Sequence, residues 1–207
     1  MDVLLHPTYF PNVAHFVAML KADEIIFEVC DNYQKQTYRN RTSVYAANGK
    51  LDLNIPVIYS QKNRQLFEDV AIFNEEPWQT QHLKTLESAY RTSPFFEFYI
   101  DDLMPLFTSE ANTVMDFNLN ANRLIFECLQ LPFVYSKTER FQLDTEDHII
   151  DARPLANCRK EIPQKFNPYA QVFDDKYGFL SNLSILDLLF NEGPNTELYL
   201  ESQHLNF

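Results

Sequence analysis

In this 207-residue chain the imidazole best placed for chemistry is His6, which ends a short apolar run from Val3 that Pro7 and Pro11 then stop. If that run is the first strand of an open α/β sheet, His6 stands at its carboxyl end, where such sheets bind ligands. It can serve there as a general base or hold a ligand oxygen, or it can anchor the proline-rich loop Pro7-Thr8-Tyr9-Phe10-Pro11. Lys35, Arg39 and Arg41 gather positive charge into one segment, interleaved with Tyr33, Gln34, Tyr38 and Asn40. Arginine's planar fork matches phosphate or carboxylate through two parallel hydrogen bonds, so this segment could clamp an anion. The alternative is a solvated loop paired with the chain's abundant carboxylates. Asp187 lies inside an apolar belt running from Leu183 to Phe190. An unpaired buried carboxylate is costly, so Asp187 is expected to meet an arginine, a backbone amide or a ligand.

Other chemistries find little support. There is no Gly-x-Gly-x-x-Gly, Walker loop, Gly-x-Ser-x-Gly or His-Glu-x-x-His, and with Gly 3 in the whole chain a glycine-cradled phosphate site is implausible. Cys30, Cys128 and Cys158 show no Cys-x-x-Cys spacing and read as buried thiols. Cys30 as a nucleophile beside His6 is the weaker reading, because a lone thiol ending an apolar strand is usually inert. No residues have metal-ligand spacing, and no cofactor is named by the sequence. Trp78, His82 and Tyr90, spaced near three and four, read as a packed helix face, and His15 as a core or helix-surface histidine.

These residues need elements to position them. Val3–His6, a helix near 12–22 carrying Val13, Phe16, Val17 and Leu20, and a β-rich run over 24–29 suggest a parallel strand pair with a helical crossover. Asn48-Gly49 between Thr42–Ala46 and Leu51–Val57 predicts a hairpin, since both turn residues tolerate positive φ. Leu51, Leu53, Ile55 and Val57 alternate with polar residues and Pro56, which predicts an edge strand with one buried face. Tyr59–Gln65 is polar and aperiodic, and 67–73 reads as a further strand. Asn74 is expected to cap a helix through Tyr90, Ser93-Pro94 to start a second, and 111–131 to form a third with Leu124, Ile125 and Cys128 inward. A last helix spans 182–192, started by Ser181 and ended by Gly193-Pro194.

The expected architecture is one mixed α/β domain over 1–207, with a small mixed sheet from the N-terminal half and helices packed against it. Within it, about 1–75 is α/β, 76–131 mainly helical, 132–180 irregular and 181–193 a buried helix. Hydrophobic residues at 45% and aromatics at 14% supply a real core, which excludes disorder for the bulk. The net charge of −12 repels phosphate backbones and anionic headgroups, so neither nucleic acid nor membrane is an expected partner. The apolar runs fall short of the roughly 20 residues of a spanning helix, and the opening shows no signal-peptide pattern. A cytoplasmic location is expected.

The opening His-Pro-x-Tyr-x-Pro, the Asp31 loop, Arg39-Asn40-Arg41, Asn48-Gly49 and Ile55-Pro56-Val57 together resemble the WbqC-like family. The likeness continues through Trp78 and His82, Ala89-Tyr90, Pro94-Phe95-Phe96, Tyr99 and Asn182-Leu183-Ser184-Ile185-x-Asp187-Leu188-Leu189-Phe190-Asn191-Glu192-Gly193, and its branch looks like that of Bacteroidetes-type members. The usual opening is closer to His-Gln-Pro-Asn-Tyr-Leu-Pro, whereas Pro7 follows His6 directly here, which implies a shortened loop. The resemblance implies a transferase of surface-polysaccharide biosynthesis that moves glycine to an amino or hydroxyl group of a nucleotide-linked sugar. His6 and Asp187 would be catalytic; Tyr9, Lys35, Arg39, Asn40, Arg41, Trp78 and His82 would bind a phosphate-bearing small-molecule substrate. Two alternatives stay open. One is a non-catalytic module that binds an anionic sugar or nucleotide. The other is a nucleotidyltransferase-like enzyme, suggested by strand, proline loop, His15 and helix, although no His-x-Gly-His accompanies them.

Overall fold

The computed structural model describes residues 1–59 and 64–206. The polar stretch expected between Tyr59 and Gln65 therefore falls, at 60–63, outside the described residues. Strand β1 (Asp2–Leu5), helix α1 (Val13–Leu20) and strand β2 (Ile25–Phe27) form the expected parallel unit, with Val3 opposite Ile25 and Leu5 opposite Phe27. Asn12 caps α1, its side chain accepting from the His15 amide, and all of α1 but its last residue is buried. The chain continues through β3 (Arg41–Ala46), β4 (Gly49–Asn54), β5 (Val57–Ile58), β6 (Ala71–Ile72), α2 (Trp78–Tyr90), α3 (Phe96–Leu103), α4 (Pro105–Thr108) and α5 (Val114–Cys128). It closes with β7 (Tyr135–Lys137), β8 (Ile149–Asp151), α6 (Asp174–Tyr177), α7 (Ile185–Glu192) and α8 (Thr196–Ser202).

The mixed α/β class is as read from the sequence, but the sheet is assembled differently. Its order is β7-β2-β1-β8, every pair is parallel, and half its strands come from the stretch expected to be irregular. Strands of three residues are too short to show a period-two pattern, so β7 and β8 left no trace in the sequence. The antiparallel pairs stand apart from this sheet as the β3–β4 hairpin and the short β5–β6 ladder.

Local signals misplace several boundaries by a few residues. The hairpin forms, with Ala46 opposite Gly49 and Gly49 at φ +98°, so the two-residue turn is Ala47-Asn48. Leu53 and Ile55 are buried, whereas Leu51 near the turn is exposed, and Pro56 interrupts the run so that Val57 pairs with Ile72. The 67–73 segment is a 3₁₀ turn (Phe67–Asp69) followed by β6. Asn74 does not cap α2: its amide donates to the Ala111 carbonyl and its oxygen accepts from the Trp78 indole, leaving Pro77 at the cap position. In α5 Ile125 is buried, while Leu124 and Cys128 are half-buried. Helix α7 starts at Ile185 with Ser184 as its cap, because Asn182 is at φ +57° and its side chain is used on the Ala14 amide. The three cysteines are half-buried rather than buried. Among the described residues no helix is long and apolar enough to cross a membrane.

Candidate functional site

Running in chain order, the parallel sheet grows from β1 to β2 to β7 on one side, then returns to place β8 on the other side of β1. The carboxyl ends flanking that reversal form the crevice where open α/β sheets bind ligands. His6 follows β1, Asp31 follows β2 by four residues, Asp151 ends β8, and Arg153 opens the 3₁₀ turn just after it. With Arg39 they line a cavity of about 220 Å³.

Arg39 organises one wall. Its side chain is 2% exposed; Nη2 donates to Asp31 Oδ2 at 2.6 Å and to His6 Nε2 at 2.8 Å, and Nη1 donates to the Asn32 carbonyl at 3.0 Å. The Phe67 ring lies 5.2 Å beneath the guanidinium. Since a guanidinium only donates, His6 Nε2 must be the acceptor and Nδ1 the protonated nitrogen of a neutral ring. Burial first, and the neighbouring Arg39 charge second, hold the His6 pKa well below the usual 6.5, which agrees with that assignment. Burial also raises the Asp31 pKa, with the Arg39 charge and hydrogen bond opposing it.

Arg153 organises the other wall. Nε and Nη2 fork Asp151 at 2.8 Å each, Nη1 donates to the Gln142 carbonyl and Nη2 to the Leu143 carbonyl, and Nη1 is 3.6 Å from Glu28 Oε2. Glu28 Oε1 accepts from the Cys30 amide and the Thr138 hydroxyl. Arg153 thus spends four of its five donors inside the protein and Arg39 three of five. The buried atoms Glu28 Oε2, Asp31 Oδ1 and Arg39 Nε have no hydrogen-bond partner among the described residues, and His6 Nδ1 lies against the Glu28 backbone without a well-formed hydrogen bond. A buried unsatisfied polar atom costs roughly 1–3 kcal/mol, so this grouping around a cavity marks a place that a ligand can complete. With His6 neutral, two guanidiniums face the carboxylates of Glu28, Asp31 and Asp151.

Of the residues singled out from sequence, His6 and Arg39 meet in this cleft and the others do not. Lys35 is exposed, its ammonium 4.8 Å from the Tyr59 ring centre. Asn40 donates to the Ile55 carbonyl. Arg41 donates to Asn54 Oδ1 at 2.7 Å and pairs with Asp52 at 3.4 Å along the hairpin. Tyr9, Trp78 and His82 form a buried aromatic cluster in which the Tyr9 hydroxyl and His82 Nδ1 lie 2.8 Å apart, and burial lowers the His82 pKa to about 4. Asp187 is fully buried and meets neither an arginine nor a backbone amide: it accepts from Tyr169 (2.5 Å), Gln171 (2.8 Å) and Tyr90 (2.9 Å). Burial lifts its pKa to about 6 against those three hydrogen bonds. His15 is a core residue held by Asn12 Oδ1, its pKa lowered by burial to about 3.

Sequence reasoning passed over Glu28, Asp151 and Arg153 and used Asp31 only to mark a loop. The available signal for Glu28 and Asp31 was their place just beyond a predicted strand; Asp151 and Arg153 follow a strand that was not legible. Among the described residues, no group of three or more His, Cys, Asp or Glu is arranged to hold a metal ion.

Fold and cleft define an α/β protein with a polar, largely self-neutralised crevice at a strand-order reversal. The WbqC-like protein family model matches residues 6–161, three quarters of the chain, and the chain belongs to that family. It is also 24% identical to "Uncharacterized protein Rv1507c" of Mycobacterium tuberculosis, over 95% of this chain and 96% of that protein. No solved structure matches.

Proposed function

We propose that this chain, a Bacteroidetes-type member of its family, is a cytoplasmic transferase of surface-polysaccharide biosynthesis, moving an aminoacyl group, glycine first among candidates, to a nucleotide-linked sugar. The observation that carries this reading is the buried His6–Arg39–Asp31 cluster in the wall of the sheet-end crevice. An acceptor amino or hydroxyl group attacks the acyl carbonyl carbon. The new N–C or O–C bond forms, the bond to the donor's leaving group breaks with its electron pair, and the acceptor's proton passes to a base in the cleft. Asp31 Oδ1 suits that base, because it is unpartnered and its proton affinity is raised. His6, with Nε2 held by Arg39, turns its Nδ1–H from the Glu28 backbone to the carbonyl oxygen as charge builds there. Lys35, Asn40 and Arg41 lie on the adjoining segment, where the nucleotide's phosphates would approach. Tyr9, Trp78, His82 and Asp187 act in this reading by holding the loop after β1 and helix α7 in place.

The test is turnover by the full chain with an activated glycyl ester and a nucleotide-linked amino sugar, read by mass spectrometry as gain of a glycyl group. His6→Asn should lower kcat by about 10²-fold with little change in KM, within the ordinary range for an oriented proton-handling group. Binding of the sugar with no transfer by the unaltered protein would favour the non-catalytic module instead.

A further inference from the structure

The cleft's inventory says which charge it accepts. An anion entering it would seek guanidinium donors, yet four of those of Arg153 are committed to Asp151 and to the carbonyls of Gln142 and Leu143. Three Nη donors of Arg39 are committed to Asp31, His6 and the Asn32 carbonyl. On Arg39 a phosphate would find only the Nε–H and one Nη1–H still open, beside the Asp31 carboxylate whose charge opposes it, and any closer pairing would displace that carboxylate. The acidic side is different. Asp31 lines the cavity, is 5% exposed, and uses Oδ2 on Arg39 while Oδ1 has no partner among the described residues. Glu28 Oε2, 1% exposed, has its nearest opposite charge at 3.6 Å, beyond hydrogen-bond reach. In the cavity lining two carboxylates, Asp31 and Asp151, balance two guanidiniums, and the buried Glu28 carboxylate 3.6 Å from Arg153 adds a third negative group, inside a chain of net charge −12.

The geometry points to an ammonium site: Asp31 Oδ1 seats a protonated primary amine of the substrate, while the free Nε–H of Arg39 meets a neutral oxygen of the same molecule. This deepens the transferase reading and rests on it for the choice of cleft, since it makes the acceptor an amine rather than a hydroxyl. Seated on Asp31, the ammonium would give up its proton to the carboxylate that bound it and become the nucleophile. The remaining polar contacts are then to hydroxyl or carbonyl groups, for which Thr37 and Asn157 stand in the same wall.

The experiment is calorimetric titration and thermal melting of the full chain with glucosamine, ethanolamine and glycinamide. These are compared with glucose and N-acetylglucosamine, the neutral counterparts of the first, and with inorganic phosphate. Glucosamine is expected to bind at least tenfold more tightly than either neutral sugar and to raise the melting temperature more than inorganic phosphate does. Asp31→Asn should lower amine affinity at least tenfold. Should that variant fail to fold, the comparison of glucosamine with its neutral counterparts on the unaltered chain decides alone. Equal binding of charged and neutral sugars, failure of every amine to bind, a preference for phosphate, or full amine affinity in a folded Asp31→Asn protein would each overturn the assignment. Amine binding that depends on Asp31, with no glycyl transfer in the turnover assay, would support the site while removing the transferase reading.

Discussion

Replacing Arg39 by Met would test the central claim about the cleft, that a buried guanidinium neutralises Asp31 and fixes His6. Methionine keeps much of the side chain's apolar length, so the change is chiefly the loss of charge and of donors. The hydrogen bonds lost are those to Asp31 at 2.6 Å, His6 at 2.8 Å and the Asn32 carbonyl at 3.0 Å. The dominant cost is not the bonds themselves but the carboxylate left without its partner at 5% exposure. Breaking a buried pair by removing one member costs about 3–5 kcal/mol. With a urea m-value of about 2 kcal/mol per molar, that is a fall in the unfolding midpoint of about 2 M. The single tryptophan, Trp78, is buried and reports unfolding by fluorescence without further labelling. Adding Asp31→Asn to Arg39→Met removes the stranded charge, so the double variant should recover about half of the loss, although each change alone destabilises. A midpoint shift below about 0.5 M for Arg39→Met, or a double variant as unstable as the sum of the singles, would refute the picture of a dry, coupled pair.

Two further outcomes follow from groups outside the cleft. Asp187 has a folded-state pKa of about 6 against an ordinary 3.8, so the folded protein binds this proton more tightly than the unfolded chain does. Its contribution is greatest below about pH 4 and is lost as pH rises through about 6, a swing of about 3 kcal/mol at about 1.4 kcal/mol per pH unit. The stability of the unaltered protein relative to Asp187→Asn should therefore grow as pH falls from 7 to 4; a constant difference in urea midpoint across that range would contradict it. Gly193 ends α7 at φ +53°, and a Cβ there would lie 2.5–2.7 Å from three carbons of the Phe95 ring. Gly193→Ala should cost more than about 2 kcal/mol, combining the left-handed backbone penalty with that clash, and a midpoint equal to the parent's would show that the ring moves aside freely.

What the sequence determined by itself is what depends on near neighbours. The helical crossover after the first strand, the hairpin around Asn48-Gly49, the apolar face of Trp78, His82 and Leu86, and the buried helix ending at Gly193 are all legible, because periodicity and turn chemistry act over a few residues, whereas α8 beyond it was not. His6 at a strand end was legible for the same reason. Tertiary structure alone decided the rest of the sheet and the site's company. Strands β7 and β8 are held in place by pairing with β2 and β1, more than a hundred residues away in the chain, and no local pattern encodes that partnership. Arg39 looked from its sequence neighbours like one of three cations in an exposed segment; folding buried it against Asp31 and His6 while leaving Lys35 in solvent and Arg41 on the hairpin. Charge in a sequence has no depth. Whether a guanidinium is an open seat for an anion or the spent partner of a buried carboxylate is settled by which strand ends the parallel sheet brings side by side.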